Sequence, residues 1–155
     1  MDLQNVAHSI NVQLLLRRAK GYVLSESAGA LLVLLCLLQV KHMFADYFLQ
    51  TKIMLDGRET YVHFGRFLHA GIHAAGSLIA FVLVGTPFAF IIPVILLEWA
   101  VHYHIDWLKG RYTAVQKLTP ADASFWRAAG VDQALHQLTY VVMIWVWVLN
   151  YTSWS

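Results

Sequence analysis

Four apolar stretches of this chain each carry, towards one end, two ligand-type side chains four residues apart. That pattern limits the fold more than any other feature. The pairs are His42/Asp46, His69/His73, His102/Asp106 and Asp132/His136. Residues four apart lie on one stripe of an α-helix, one turn above the other. Glu98 extends the third pair by a further turn, so Glu98, His102 and Asp106 fall on one line at the end of the apolar run 81–97. Each pair is therefore expected on a helix of its own, with both groups facing the same way.

Composition says what surrounds such helices. Hydrophobic residues make up 59% of the 155 and charged residues 13%. That is too little polar surface to coat a soluble globule, and enough apolar length for several spans of about 20 residues. The expected fold is all-α: a polytopic membrane protein with four antiparallel transmembrane helices and an N-terminal amphipathic interfacial helix. The spans are placed at 28–50, 61–85 and 87–109, with a fourth after Pro120. Residues 1–26 form the interfacial helix, with Leu3, Val6, Ile10 and Leu14 on one face and Arg17, Arg18 and Lys20 near lipid phosphates. Residues 27–155 form the transmembrane domain.

The connections have their own signals. Asp56-Gly57 marks a turn, and Gly85-Thr86-Pro87 a tight reversal. Residues 110–119 read as a polar, basic loop. Thr119 is expected to cap the fourth helix, with Pro120 at its first position and Asp122 in its first turn. Pro93 inside the third span predicts a kink. Small residues crowd the second span (Ala70, Gly71, Ala74, Ala75, Gly76), which permits close helix packing in lipid. Cys36 sits among leucines and reads as inert packing.

The first and third spans carry their pairs near their C-terminal ends, the second and fourth near their N-terminal ends. In an up-down-up-down bundle all four pairs then meet at one membrane face. Basic residues flank that face (Lys52, Arg58, Arg66, Lys109, Arg111, Lys117, Arg127), against Arg17, Arg18 and Lys20 at the other end. The positive-inside bias makes the paired face cytoplasmic.

Five imidazoles and three carboxylates converging from four helices suit a divalent ion, zinc above all, with manganese or iron as alternatives. Eight groups exceed the needs of one ion, so two ions, or one ion with carboxylates orienting its imidazoles, both fit. A metal so held would ionise a water, and Glu98, Asp106 or Asp132 is the candidate base for a metal-dependent hydrolase. Its substrate would be lipid-like or membrane-proximal, with Lys52, Arg58, Lys109 and Arg111 available to a phosphate. Two other classes stand beside it: an ion or metal transporter, and a non-catalytic membrane adaptor with a structural metal or polar layer. His104, His8 and His63 lie off the stripes and read as interface histidines. Trp99, Tyr103 and Trp107 read as an aromatic belt, and Tyr140, one turn below His136, as core, with a hydrogen bond into the site as its alternative. The partners expected are membrane lipids and a membrane protein or second copy. A net charge of +2 without a basic, aromatic-studded patch gives no reason to expect nucleic acid.

Four blocks carry a family resemblance as well: His42-Met-Phe-Ala-Asp46-Tyr-Phe-Leu-Gln50-Thr, His69-x-x-x-His73, His102-Tyr-His-Ile-Asp106-Trp-Leu-Lys109 and Asp132-Gln133-Ala-Leu-His136. In this order, over about residues 36–140, they resemble the bacterial and phage integral-membrane family known as domain of unknown function 3307. The resemblance implies a small multi-pass protein of the bacterial inner membrane, and no particular activity. The His/Asp chemistry is also loosely similar to that of membrane-bound metal-dependent hydrolases.

Overall fold

The structure is a computed structural model. It describes the backbone of residues 3–151, and side chains over 28–150 together with Leu14, Leu15, Arg18 and Gly21. Five helices follow one another: α1 (Leu3–Tyr47), α2 (Lys52–Leu55), α3 (Phe64–Leu83), α4 (Phe88–Val115) and α5 (Ala123–Tyr151). The four long ones form a ring, α1 against α3 and α5, and α4 against α3 and α5. No strand occurs among the described residues.

Three of these helices are long and apolar enough to cross a membrane: Ala28–Tyr47, Phe64–Leu83 and Phe88–Val115. Their outward faces carry exposed Leu32, Val33, Ile79, Leu83, Ile92 and Leu96, as lipid-facing helices do. The helix α5 is as long but not as apolar, because Arg127, Asp132, Gln133, His136 and Gln137 occupy its first half.

One end of the ring is filled by an apolar cluster that includes Leu34, Leu38, Phe81, Ile91, Met143 and Trp147. The indole N–H of Trp147 donates to Thr86 Oγ1 at 2.7 Å, both groups buried. This bond ties the far end of α5 to the α3–α4 reversal. The reversal itself is closed by Gly85 at φ +74°, with Thr86 N–H donating to Phe81 O at 3.0 Å. That is a left-handed helix stop, for which glycine carries no Cβ penalty.

Several expected boundaries shift. The helix α1 runs unbroken through residues 26–28, where two separate helices were expected; 45 residues span about 68 Å, over twice a bilayer core. The side chains of Leu3, Val6, His8, Ile10, Arg17 and Lys20 lie outside those described, while Leu14 and Arg18 are exposed. The helix α4 continues to Val115, so most of the expected loop 110–119 is helical. It also runs through Pro93 without interruption.

Thr119 does not cap α5. Its carbonyl closes a turn onto Asp122 N–H at 2.9 Å, and the Asp122 carboxylate accepts from Thr119 N–H and Oγ1 at 2.8 and 2.9 Å. The cap chemistry thus points backwards into the turn, and Asp122 directly precedes the helix. Cys36 is exposed on the outer face of α1 rather than packed inside.

Candidate metal centre

At the end of the ring opposite Trp147, the four pairs meet. His42 and Asp46 come from α1, His69 and His73 from α3, His102 and Asp106 from α4, Asp132 and His136 from α5. All five histidines are buried, whereas Asp46 and Asp106 retain 18% and 23% side-chain exposure. The imidazoles thus form the wall and the two carboxylates open outward.

The ring nitrogens converge on those carboxylates. Asp46 receives His73 Nε2 at 3.1 Å, His42 Nε2 at 3.2 Å and His69 Nε2 at 3.3 Å. Asp106 receives His136 Nε2 at 3.2 Å, His102 Nε2 at 3.3 Å and His69 Nε2 at 3.5 Å. His69 therefore stands between the two. The rings are packed together, with His73 and His102 centroids 3.9 Å apart and His102 and His136 4.2 Å.

Three groups have ligand atoms close enough to share an ion: His42/Asp46/His73, His69/His73/His102 and His102/Asp106/His136. The first and third have no residue in common. Two ions can therefore be served without sharing a side chain.

Charge separates this centre from an ordinary polar layer. Lys41 Nζ lies 2.5 Å from Glu98, and Lys109 Nζ lies 3.0 Å from Asp132. Asp46 and Asp106 have no lysine or arginine ion-pair partner among the described residues; imidazoles face both, joined at Asp46 by the Gln133 amide. With neutral imidazoles, two charges of −1 remain. Such a charge in a poorly hydrated site calls for a counter-cation.

Polar atoms without a hydrogen-bond partner point the same way. Among the described residues, Nδ1 of His69 and His73, both ring nitrogens of His102 and Asp132 Oδ1 are buried without one. Buried polar atoms are nearly always paired; Glu98 Oε2 adds one more just beneath this set, and His63 Nδ1 and Trp107 Nε1 are two further exceptions outside it. The residues present thus fit a divalent ion in number, type and charge.

Other side chains complete the setting. Tyr140, expected in the core, has its hydroxyl 2.8 Å from His42 Nδ1 and so orients that ring. Gln133 Oε1 lies 3.1 Å from His42 Nε2, and its amide donates to Asp46 at 3.5 Å. Its position beside Asp132 gave no helical signal. Glu98 lies one layer beneath the imidazoles, accepting from Lys41 and from Ser77 Oγ at 2.9 Å. Lys41, one residue off the α1 stripe, turns inward: its ammonium also donates to His73 O at 3.1 Å and sits 4.5 Å from the centre of the Tyr140 ring.

His104 is exposed and bonded to the Tyr61 hydroxyl at 3.0 Å, away from the cluster. Trp99 and Tyr103 donate to the carbonyls of Phe67 and Tyr61. They fasten α4 to the start of α3.

Asp46, His69, Asp106 and Asp132 lie at the floor of a cavity of about 540 Å³. Arg58, Arg66, Lys109 and Lys117 also line it. Lys52 and Arg111, expected to join them, are exposed and lie elsewhere. Arg66 is a fastener rather than a free cation. Its guanidinium donates to the carbonyls of Thr60 at 2.6 Å, Tyr61 at 2.9 Å and Arg58.

The segment after α2 is thereby held where Arg58 and Glu59 line the cavity, and two glycines allow α2 and this segment to come so near. A Cβ on Gly65 would stand 2.0 Å from Ile53 O, and one on Gly110 2.5 Å from Arg58 O. The expectation of a loop at 110 failed for this reason: Gly110 serves a close approach inside α4, not a break.

The chain matches no curated protein and no solved structure. A family model matches residues 33–155, which takes in all four pairs and reaches past the resembling blocks to the C-terminal residue. That model is described as a protein of unknown function, and over this span the chain belongs to that family, DUF3307.

Proposed function

We propose that the protein is a membrane-embedded, metal-dependent hydrolase acting on a phosphate-bearing, lipid-like substrate. One observation carries the reading: two carboxylates without a lysine or arginine partner, ringed by five imidazoles, open into a cavity lined by cations. A purely structural ion favours a closed protein shell. Here the carboxylates keep an open side, which supports chemistry over bracing.

The donor sets His42/Asp46/His73 and His102/Asp106/His136 are the ones expected to hold two ions, zinc first by the mix of imidazole and carboxylate. Bound there, divalent metal supplies a water ionised near neutrality and a Lewis acid for the substrate oxygen. The chain's own groups do the rest. Tyr140 fixes the His42 ring, and Gln133 steadies Asp46. Asp132 Oδ1, at the cavity floor, 3.7 Å from His136 Nε2 and without a hydrogen-bond donor, is placed to accept a proton. Arg58 and Lys117 attract the phosphate, while Lys41 neutralises Glu98 beneath the site.

A transport pathway finds less support, because the far half of the ring is closed by the packed Leu34, Leu38, Phe81, Ile91 and Trp147. The excess of basic residues around the cavity favours a cytoplasmic face for it, in a bacterial inner membrane.

The test is elemental analysis of protein purified in mild detergent. About two equivalents of zinc, manganese or iron are expected, as the two disjoint sets require. Asp46→Ala and His136→Ala should each lower that content, and His104→Ala should not. Bound metal at about 100 times its Kd should add roughly 2.7 kcal/mol of stability that a chelator removes. Protein free of metal, fully stable and indifferent to chelator would overturn the reading.

A further inference from the structure

The cavity has a neighbour. A second concavity of about 470 Å³ lies between α4 and α5, lined by Ile105, Leu108 and Tyr112 from one helix and Ala128, Val131 and Leu135 from the other. Residues three and four apart on each helix make its two walls, so it runs along the helix axes as a groove. Leu108, Tyr112, Val131 and Leu135 are 56%, 48%, 61% and 41% exposed, which leaves it open along the outer surface.

Two features separate it from the general apolar surface of a membrane helix. It is concave, and it shares Lys109 and Asp132 with the cavity over the aspartates. The Lys109–Asp132 ion pair is thus the partition between an apolar groove and a cationic, carboxylate-floored chamber. Arg127 adds a positive charge to the groove lining.

We infer that this groove seats the acyl chain of an anionic glycerophospholipid while its phosphate is held by Arg127 and Lys109 at the rim of the cavity. The substrate class follows from the pairing of the two spaces. A soluble phosphate ester has no use for a groove that opens along a lipid-facing helix. A lipid whose chain leaves the bilayer loses favourable burial with every methylene exposed to water. A groove continuous with the bilayer lets the phosphate rise to the site while the chain stays in apolar surroundings.

A chain moving from lipid into this groove gains little by transfer, since both are apolar. Selection must come from the headgroup, where Lys109 and Arg127 meet its phosphate. This inference narrows the substrate of the hydrolase reading and rests on it for turnover. The binding it describes needs no metal.

The experiment is acyl-chain photolabelling of the full chain in phosphatidylcholine nanodiscs, with chelator present. Phosphatidic acid carrying a diazirine in its acyl chain is compared with diacylglycerol carrying the same group. Labelled peptides are mapped by mass spectrometry. Phosphatidic acid should enrich label severalfold over 105–112 and 127–135 relative to diacylglycerol, with equal labelling of the outward faces of α1 and α3. Val131→Trp should abolish the enrichment by filling the groove. Arg127→Gln should reduce the preference for phosphatidic acid.

Unchanged labelling of α1 and α3 in both variants shows that the fold persists. Even labelling by both lipids, or enrichment that survives Val131→Trp, would overturn the inference. Elemental analysis of the same preparation without chelator tests the metal separately, so a groove that binds lipid beside a site that binds no metal would defeat only the hydrolase reading.

Discussion

The Asp122 carboxylate shows how a single side chain sets where a helix begins. It accepts from the backbone N–H and hydroxyl of Thr119, and those bonds favour the ionised form, holding the carboxyl below its ordinary value of 3.8. A depressed folded value means that this contribution is fully present above the unfolded value and is lost as pH falls through the folded one. The turn that starts α5 should therefore loosen only below about pH 4, the unfolded carboxylate value. Protection of the Thr119 amide, its exchange rate relative to the unstructured rate at the same pH, followed by NMR in detergent, should fall as pH is lowered through that window. Asp122→Asn should show the lower protection above the window and converge with the native chain below it. The same turn misled the sequence reading, because Thr-Pro-x-Asp scans as a forward cap while the hydrogen bonds run backwards. Other residues were legible by spacing alone: seven of the eight ligand candidates fall in groups able to share an ion, since i, i+4 on a helix leaves little freedom, while Asp132 stands beside them paired with Lys109. Lys41 and Gln133 were not, because their roles depend on which helix stands opposite, and no single helix encodes that.

At the scale of the element, the end of α4 carries strain beside the cavity. Lys117 has φ +52°, a left-handed conformation, and Leu118 N–H donates to Thr113 O at 2.9 Å to stop the helix. Glycine is the residue that fits such a stop at least cost, and a side chain there costs about 1 kcal/mol. Lys117 also lines the cavity. Strained backbone held next to a site is often kept for what its side chain does there. Lys117→Gly should therefore raise stability by about 1 kcal/mol, read as a higher thermal midpoint, while weakening turnover of a phosphate-bearing lipid. Lower stability in the variant would mean that the left-handed stop is not the strained feature. Helix lengths were only partly legible. Periodicity located each helix, but Gly110 mimics a stop, and the helix reads through it because Arg58 O needs the space a Cβ would take.

At the scale of the whole molecule, the fourth span is the open part of the topology. The helices α1, α3 and α4 hold the length and apolarity to cross a bilayer, and α5 is less apolar. It is nevertheless fastened at two levels of the ring. His136 meets Asp106 at the candidate metal centre, and Trp147 meets Thr86 at the α3–α4 reversal. These anchors lie about 17 Å apart along the helix, and the whole 29-residue helix, about 44 Å, has the length to cross a bilayer core of about 30 Å. In its polar first half Asp132 and His136 are buried against the other helices, while Arg127 and Gln137 are exposed, so the site accounts for part of its low hydropathy. Single cysteines placed in a Cys36→Ser background should settle the matter. With a membrane-impermeant maleimide, Glu59→Cys and Gln116→Cys should label from one side, the cytoplasmic one. Ala89→Cys and Leu149→Cys should label only from the other. If Leu149→Cys labelled together with Gln116→Cys, α5 would return to the cavity side, and the four-span bundle would give way to three spans with a re-entrant helix.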